Sequence, residues 1–323
     1  MPVKNTELYL KECLRSIISQ TETNWELLAV NDHSTDGSLA ILEHFAQKDK
    51  RIQFFNNNGS GIINALQLAY SKSKGNYITR MDADDVMPKE KLSTLKQALQ
   101  THENGFVATG LVKYFADYPI GNGYQKYQDW LNSLTTKGTN FTEIYKECVI
   151  PSPCWMVSRH DFEKCEAFRP NRYPEDYDLA FRFYKNNLKV IPCHQVLHHW
   201  RDYSHRTSRT DTNYADNTFL DIKLHYFLQL EYQPKKTIVL WGAGKKGKII
   251  AKQLTEKNIP FQWVCNNPKK IGKHIYNTIL LSNQSVSNFS PSQYIITVAN
   301  PKEQQEIKLC LQQVIATDYY FFC

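Results

Sequence analysis

Three acidic side chains crowd one short segment of the sequence. Asp82, Asp84 and Asp85 follow a strand-like run at residues 76–81. In open parallel sheets, ligands bind beyond the carboxyl ends of the strands. Carboxylates so close together repel one another unless a cation joins them, and Mg²⁺ takes oxygen ligands and bridges carboxylate to phosphate. The segment therefore predicts a divalent-metal site, and the alternative is an acidic turn that caps the next helix.

A second acidic segment follows another strand-like run. Asp32 comes directly after residues 26–31, and residues 34–36 precede a helical pattern that starts at Ser38. Residues 34–36 have the side-chain types that cap helix N-termini, whereas Asp32 is placed to accept hydrogen bonds from a nucleoside base or ribose. Two acidic strand ends in one sheet favour a shared ligand site over two unrelated turns.

Two later segments carry groups that can act on protons, metals or phosphates. Glu175 and Asp176 open a helical pattern. There a carboxylate either gains about 0.3–1 kcal/mol from the helix dipole or takes a proton from an acceptor hydroxyl as a general base. His198 and His199 stand close to Arg201. An imidazole can complete the coordination shell of a metal and a guanidinium can pair with phosphate, while packed or surface histidines are the alternative.

A glycine-rich turn forms a separate candidate. Gly242, Gly244 and Gly247 lie between a strand pattern at 236–241 and a helical pattern, which is the context of a dinucleotide-binding turn. Amides at a helix start and neighbouring lysines suit a phosphate. The next strand ends near Asn266 with no acidic residue to hold a ribose hydroxyl, as NAD binding requires. The glycines thus predict either a second nucleotide site or a structural or oligomer-forming module.

Composition excludes several classes of protein. The 323 residues carry 39 Lys and Arg against 32 Asp and Glu, and 41% are apolar, as in globular proteins. The eight cysteines show no paired spacing, which favours reduced, buried thiols over a zinc site or a disulfide framework. We expect a soluble, cytoplasmic protein that binds no nucleic acid. Its mild basicity leaves association with the inner face of a membrane as an alternative.

The order of strand and helix patterns predicts an α/β protein. Strands and helices alternate from residue 6 to about 115, and such crossover units form a parallel sheet with helices on both faces. An irregular stretch at 117–150 inserts an antiparallel or helical piece, residues 151–200 end in a histidine-rich turn, and the alternation restarts at 236. We predict one α/β domain at 1–210, a helical connector at 211–234 and a small α/β domain at 235–323.

Together these motifs resemble a known enzyme family. The segments VKNTELYLKE, AVNDHSTDGS, TRMDADD, PEDYDLAF and HHWRDYSHR make residues 1 to about 215 similar to a family 2 glycosyltransferase of the GT-A fold. The resemblance implies a GT-A nucleotide-diphospho-sugar transferase-like sheet and a Mg²⁺ or Mn²⁺ cofactor. It also implies inverting transfer, in one displacement, from a nucleotide-diphospho-sugar donor to a glycan or glycolipid acceptor in polysaccharide or glycolipid biosynthesis. The C-terminal part resembles the Rossmann-like unit appended to some of these enzymes.

The resemblance also implies a role for each motif residue. Asp176 is the expected general base, with Glu175 as the second choice. Asp84 is the expected principal metal ligand, and Asp82 lies on the ribose or phosphate side. The expected nucleotide-sugar-binding residues are Pro2, Val3, Asn5, Asp32, Asp82 and Arg201. The expected metal ligands are Asp84, Asp82, His199 and His198.

One feature departs from the family pattern. Family members have a hydrophobic strand before the Pro-Val-x-Asn segment, which here is residues 2–5. That strand forms the middle of the sheet, and its loss would leave unpaired backbone and exposed apolar faces. We therefore expect the true start to lie upstream. If the short form is the real one, it weakens stability and donor affinity.

Two other functions stay open at this point. The glycine turn at 242–247 fits an NAD-dependent oxidoreductase or epimerase, and the shortened first strand fits a non-catalytic nucleotide-sugar-binding scaffold. A homo-oligomer is a further alternative for the C-terminal unit. The segment 201–212, with Arg201, Arg206 and Arg209, is either a flexible lid over a diphosphate or a solvated loop.

Overall fold

A computed structural model describes residues 1–204, 206, 209, 219–314 and 317–323. The chain divides into two compact units. Unit 1 comprises Met1–Thr142 and Cys148–Thr207, and unit 2 comprises Glu143–Glu147 and Ser208–Cys323. Residues 211–218 of the predicted connector lie outside the described residues, and the helix that follows them lies within unit 2.

Unit 1 begins with a three-stranded parallel sheet. Its strands, in spatial order, are β1 (Pro2–Val3), β2 (Leu27–Asn31) and β3 (Ile52–Asn56). The helices that alternate with them are α1 (Glu7–Ile18), α2 (Ser38–Lys48) and α3 (Ile62–Lys72). Two residues of β1 pair with β2, Pro2 with Val30 and Val3 with Asn31. The predicted α/β crossover pattern is thus confirmed for this sheet.

The second sheet of unit 1 is mixed. Its strands are β4 (Tyr77–Thr79), β5 (Phe106–Phe115), β6 (Trp155–Ser158) and β7 (Lys189–Arg201), in the order β4-β6-β5-β7. Strand β6 runs antiparallel to both of its neighbours, and β5 and β7 are parallel. The parallel pairing that the crossover pattern predicts is therefore interrupted in this sheet by the antiparallel strand β6. The histidine-rich segment predicted as a turn is the end of β7.

Helices also cover the second sheet. They are α4 (Lys91–Gln100), α5 (Asn122–Lys137), α6 (Arg159–Lys164) and α7 (Glu175–Lys185). Helix α5 and a 3₁₀ helix at Asn140–Glu143 occupy most of the stretch predicted as irregular. The Asn132 side chain of α5 bonds both the N–H and the C=O of Val112, at 2.9 Å each. Val112 stands where the register between β5 and β7 shifts, so a polar side chain supplies backbone hydrogen bonds at this irregular part of the sheet.

One cluster of buried apolar side chains joins the two sheets of unit 1. Helix α1 contributes Leu10, Cys13, Leu14 and Ile17, which recur at the spacing of one helical face. Ala83 of the acidic segment and Trp200 of β7 belong to the same cluster. Because the cluster spans both sheets, it holds the carboxyl ends of β2, β4 and β7 in fixed relative positions.

Unit 2 has one six-stranded sheet in the order β10-β11-β9-β8-β12-β13. Its strands are β8 (Thr237–Trp241), β9 (Phe261–Cys265), β10 (His274–Ile275), β11 (Thr278–Ser282), β12 (Ser292–Ile296) and β13 (Thr317–Phe321). Its helices are α8 (Leu220–Leu230), α9 (Lys245–Glu256), α10 (Pro301–Leu311) and a 3₁₀ helix at Asn283–Phe289. The pairing is parallel except between β10 and β11. Among the described residues, no helix is long and apolar enough to cross a membrane.

Unit 2 contains a buried lysine. Lys223 of α8 is buried, and its ammonium donates to the carbonyl oxygens of Lys146 at 2.9 Å and Phe322 at 3.1 Å. Burial lowers the pKa of Lys223 to about 8.

Across the whole chain, all eight cysteines are free and six of them are buried, as the sequence predicts.

Candidate active site

The third carboxylate of the acidic segment is a structural anchor. Asp85 is fully buried, its Oδ2 lies 2.8 Å from His198 Nε2, and its Oδ1 accepts a hydrogen bond from Arg201 N at 2.8 Å. The other ring nitrogen of His198 lies 3.3 Å from Lys91 Nζ. Both nitrogens of His198 are therefore engaged inside the protein. A metal-ligand role for His198 stays a prediction, and it would require one of these two contacts to break.

The charges in this anchor are shifted by burial. Burial raises the pKa of Asp85 to about 7, and the nearby charge of Arg206 opposes that shift. Burial, reinforced by the charge of Lys91, lowers the pKa of His198 well below its ordinary value. A neutral His198 thus bonds Asp85 and joins the end of β7 to the acidic segment.

His199 points elsewhere. Its backbone pairs with Val86 in both directions, at 3.0 and 3.1 Å. Its ring lies 6.1 Å from the ring of Phe115, and burial together with the charge of Lys113 lowers its pKa. Because neighbouring residues of a strand face opposite sides, the side chain of His199 does not share the direction of His198. These contacts do not support the predicted ligand role of His199.

The first two carboxylates of the segment have different partners. Asp82 Oδ1 accepts hydrogen bonds from Arg80, at 3.1 Å from Nε and 3.0 Å from Nη2. Asp84 Oδ2 accepts a hydrogen bond from the Tyr203 hydroxyl at 2.9 Å. Burial opposes ionisation of Asp82, but Arg80 and the other positive neighbours, Arg206 among them, together outweigh it and lower the pKa. Burial, followed by repulsion from Asp85 and Asp82, raises the pKa of Asp84 to about 6.

Arg80 joins the acidic segment to the start of α7. Its Nη1 lies 2.7 Å from Glu175 Oε1, across 95 positions of sequence. Arg80 and Glu175 are 7% and 8% exposed. Burial raises the pKa of Glu175, Arg80 opposes that shift, and the charge of Asp176 adds to it. Two motifs that the sequence analysis treats separately thus meet at one guanidinium. Arg80 is not among the predicted site residues, and its only signal in the sequence is an arginine in an otherwise strand-like run.

Asp176 is the more accessible carboxylate at the start of α7. It is half-buried, and its Oδ1 accepts a hydrogen bond from Tyr177 N at 2.7 Å. Its charge also acts on Arg80, raising the pKa of that guanidinium together with Asp82 and Glu175 and against the effect of burial. The two predicted base candidates therefore differ in surroundings, since Glu175 is buried and paired.

The predicted nucleotide-binding residues of the first sheet lie together at its carboxyl end. Asp32 is 3% exposed, and its N–H donates to Val3 O at 2.7 Å. Its carboxylate accepts hydrogen bonds from Asn57 Nδ2 at 2.7 Å and Gly61 N at 3.1 Å, and Lys4 Nζ lies 3.4 Å away. Asp32 therefore holds the loop after β3, and a nucleoside base would have to share this carboxylate with the loop.

Asn5 links the start of the chain to the loop after β2. Its Oδ1 accepts a hydrogen bond from Thr35 N at 2.8 Å, and its own N–H donates to Ser34 Oγ at 3.1 Å. Asp36 accepts hydrogen bonds from Ser38 N and Glu7 N, at 3.0 Å each. Asp36 thus accepts hydrogen bonds from backbone N–H groups at the starts of α1 and α2, which is the capping role predicted for residues 34–36.

Arg201 is fixed by contacts within unit 1. Its Nε donates to Asp84 O at 2.8 Å, and its Nη2 lies 2.5 Å from Glu12 Oε2. The guanidinium stacks between the rings of Tyr9 and Phe115, at 4.8 and 4.5 Å. These contacts place Arg201 against the acidic segment. A role for it in nucleotide binding stays a prediction.

The predicted lid at 201–212 is described only in part. Residues 205, 207, 208 and 210–212 lie outside the described residues. Arg206 is described, and its guanidinium lies 5.8 Å from the ring of Tyr114. Burial lowers the pKa of Arg206, but the charges of Asp85 and Asp84 outweigh it and raise the pKa. Arg206 and Tyr203 therefore bring this segment to the acidic residues.

A divalent metal fits two of the three carboxylates. Within the described ranges, no three His, Cys, Asp or Glu side chains converge on a ready-made metal site. Mg²⁺ in proteins is often held by one or two carboxylates, with the remaining ligands supplied by substrate phosphates and water. Repulsion from Asp85 and Asp82 adds to the effect of burial on the pKa of Asp84, and a bound cation would relieve repulsion of this kind. Asp84 and Asp82 therefore fit a metal that also needs an outside ligand.

A cavity of about 740 Å³ lies beside this cluster, not on it. Residues of β2 and β4 line it, among them Leu27, Leu28 and Ile78, together with Arg80. The lining of the cavity includes Arg80 but not Asp84. The size of a cavity therefore does not by itself locate the candidate active site in this protein. We place the candidate site at the carboxylates, where charged groups from separate segments converge.

The glycine turn of unit 2 has structural reasons for two of its glycines. Gly242 has a φ of +115°, and its carbonyl accepts a hydrogen bond from Trp263 Nε1 at 2.9 Å. A Cβ at Gly247 would lie 2.0 Å from Gly242 O, whereas one at Gly244 would meet nothing within 4 Å. Lys270 Nζ donates to Ala243 O at 2.6 Å. The turn is thus held by its own unit, and a second nucleotide site there stays a prediction.

Comparisons with known proteins identify the family of the chain. The family model described as Glycosyl transferase family 2 matches residues 1–165, which include Asp32 and the acidic segment. The chain is 36% identical over 124 residues to Glycosyltransferase GlyA of Streptococcus pneumoniae serotype 4, covering 38% of this chain and 16% of GlyA. The chain thus spans less than a fifth of the length of this curated relative.

Two solved structures share the fold of the chain. The structure of S. aureus TarS 1-349 in complex with UDP matches 79% of this chain and 69% of that chain, with 16% identity and a TM-score of 0.51. The mannosyltransferase PcManGT from Pyrobaculum calidifontis, in complex with GDP-Man and Mn²⁺, matches 71% of this chain and 61% of that chain, with 16% identity and a TM-score of 0.50. These likenesses confirm the predicted GT-A fold. Because the family match covers 165 of 323 residues, the chain belongs to glycosyl transferase family 2.

Proposed function

We propose that this chain transfers a sugar from a nucleotide-diphospho-sugar to a hydroxyl of a glycan or glycolipid acceptor, with a divalent metal and with inversion. The observation that carries the proposal is the pair of contacts from Arg80 to Asp82 and Glu175, at 3.0 and 2.7 Å. These contacts bring the acidic segment and the first turn of α7 together. A single displacement needs both functions, a site for the leaving diphosphate and a base for the acceptor.

The donor side consists of the acidic segment. Asp84 and Asp82 would hold Mg²⁺ or Mn²⁺, which when bound neutralises charge on the leaving diphosphate. The solved structures support a donor of this class, because TarS was solved with UDP and PcManGT with GDP-Man and Mn²⁺. Asp85 holds the acidic segment in place through its contacts with the His198 ring and the backbone N–H of Arg201.

The acceptor side consists of Asp176. Glu175 is buried whereas Asp176 is half-buried, so Asp176 is the better candidate for a base that must reach an acceptor. The acceptor oxygen attacks the anomeric carbon as its proton passes to the Asp176 carboxylate. The bond between that carbon and the diphosphate oxygen breaks, and the diphosphate leaves with the electron pair. Attack from the side opposite the leaving group inverts the anomeric centre.

The test is a panel of UDP-sugars and GDP-sugars with Mn²⁺, in which release of the nucleoside diphosphate is measured for wild type and Asp176→Asn. We expect wild type to turn over at least one donor, with water as acceptor, and the variant to be slower by about 100-fold or more. Binding of UDP or GDP with Mn²⁺ should stay unchanged in the variant. Asp129→Asn, on the exposed face of α5, is the matched control.

Two outcomes would overturn the proposal. Wild type that releases no nucleoside diphosphate from any donor in the panel would remove the activity. An Asp176→Asn variant as active as wild type would remove the assigned base.

A further inference from the structure

Arg80 is placed between the two halves of the candidate site. It follows β4 directly and is 7% exposed. Two edges of its guanidinium are used, one by Asp82 Oδ1 through Nε and Nη2, the other by Glu175 Oε1 through Nη1. A guanidinium is a rigid planar fork, so two carboxylates bound to different edges have a fixed separation and angle.

We propose that Arg80 is a positioning residue for the transfer reaction, one that sets where the Asp176 base lies relative to the donor diphosphate. The inference rests on the proposed function. Asp82 precedes Asp84 by two residues and Glu175 precedes Asp176 by one. Holding Asp82 and Glu175 on one rigid group therefore fixes the donor side and the acceptor side together.

Charge supports the same assignment. Asp82, Glu175 and Asp176 all act on the single guanidinium of Arg80. Removing one partner of a buried ion pair leaves an uncompensated charge, which is strongly unfavourable. Without Arg80, the buried carboxylates would repel one another, and the first turn of α7 would shift away from the acidic segment. A lysine keeps the charge but is a point donor, so it cannot hold both carboxylates in one geometry.

Helix α7 also offers a matched control. Arg182 is buried and its Nε lies 2.7 Å from Asp178 Oδ2, and its Nη1 donates to the carbonyls of Cys165 and Ala167. Arg182 and Arg80 are therefore both buried arginines with a carboxylate partner on α7. These partners of Arg182 do not include the acidic segment, so its loss reports the structural cost of removing a buried arginine from α7.

The experiment compares wild type, Arg80→Lys, Arg80→Ala and Arg182→Ala, with the donor that wild type turns over and saturating Mn²⁺. Circular dichroism gives the folded fraction of each variant, and rates are expressed per folded molecule. We expect kcat to fall about 100-fold in Arg80→Ala and less in Arg80→Lys, while KM for the donor stays near the wild-type value. Guanidinium ion at millimolar concentration should restore part of kcat in Arg80→Ala. Arg182→Ala should keep the wild-type kcat, and guanidinium should not change it.

The outcomes separate this inference from the proposed function. If wild type turns over no donor, the proposed function fails and the inference fails with it. If wild type is active and folded Arg80→Lys or Arg80→Ala keeps its kcat, only the inference is overturned. An equal loss of kcat in Arg182→Ala, or rescue of both alanine variants by guanidinium, would show a structural effect and would overturn it as well. Should Arg80→Ala not fold, Arg80→Lys decides through kcat alone.

Discussion

Replacing Asp84 by asparagine should stabilise the metal-free protein while it removes metal-dependent nucleotide binding. The Tyr203 hydroxyl donates to Asp84 Oδ2 at 2.9 Å, and an asparagine carbonyl oxygen can accept the same bond. The substitution therefore removes mainly a negative charge that lies near Asp82 and Asp85. Sites that hold like charges for function trade stability for activity.

The structure gives the size of this effect. Burial, then the charges of Asp85 and Asp82, raises the pKa of Asp84 from 3.8 to about 6. Because this folded-state pKa exceeds the unfolded one, ionisation of Asp84 destabilises the fold, and stability is lost as pH rises from about 4 to about 6. At about 1.36 kcal/mol per pKa unit the loss reaches about 3 kcal/mol. Solvent screening of this partly exposed side chain reduces the expected gain in Asp84→Asn to about 1–2 kcal/mol at pH 7.5.

Thermal unfolding in EDTA measures the effect. We expect Asp84→Asn to melt about 2–8 °C above wild type at pH 7.5, since 1 kcal/mol corresponds to about 2–4 °C for a unit of this size. The gap should close near pH 4, where Asp84 is protonated in the folded protein. Asp129→Asn, at an exposed position, should show no gap at either pH. A variant that melts below wild type at pH 7.5, or a gap of equal size at pH 4, would refute the reasoning.

Three further sets of substitutions test separate parts of the structure. Asp85→Asn offers one acceptor oxygen to the two donors that Asp85 serves, so it should lower the free energy of unfolding by about 1–3 kcal/mol. Lys223 has a folded-state pKa of about 8, below the ordinary 10.5, so wild type should gain stability between pH 8 and 10 while Lys223→Met should not. Gly247→Ala places a Cβ 2.0 Å from Gly242 O and should cost more than about 2 kcal/mol, whereas Gly244→Ala should stay within about 0.5 kcal/mol.

Urea unfolding of each variant beside wild type checks these values. Wild-type stability in Asp85→Asn would mean that Asp85 does not anchor the acidic segment. The same pH slope in Lys223→Met and wild type would contradict a buried ammonium at that position. Equal losses in Gly244→Ala and Gly247→Ala would contradict the close approach at the glycine turn.

The sequence predicted the elements and the acidic motifs because both depend on local pattern. Helix α1 follows from apolar residues at helical spacing, and the buried β2 follows from a continuous apolar run. Asp82 and Asp84 follow the end of β4 by three and five residues, close to the strand end where the motif predicts them. The local sequence pattern therefore predicts the secondary structure of each segment and the positions of its charged residues relative to the strand ends.

The partners of those carboxylates could not be read from the sequence. Arg80 and Glu175 are 95 positions apart, and nothing local distinguishes this arginine from a surface one. Asp85 and His198 are 113 positions apart, so the roles of a motif carboxylate and a motif histidine as buried anchors depend on tertiary packing. For the stretch at 117–150 the sequence left an antiparallel and a helical piece open, because the contact that decides between them, from Asn132 of α5 to the backbone of Val112, is a hydrogen-bonded one and not an apolar pattern.

If Asp82 and Asp84 hold a divalent cation that binds the diphosphate, a nucleoside diphosphate should bind this chain only together with that cation. Isothermal titration of wild type with UDP, GDP and NAD, each with Mn²⁺ and with EDTA, measures this dependence. We predict that UDP or GDP binds with Mn²⁺ and not with EDTA, and that NAD does not bind. Binding of NAD without metal, or nucleoside diphosphate binding of equal affinity with EDTA, would contradict the account.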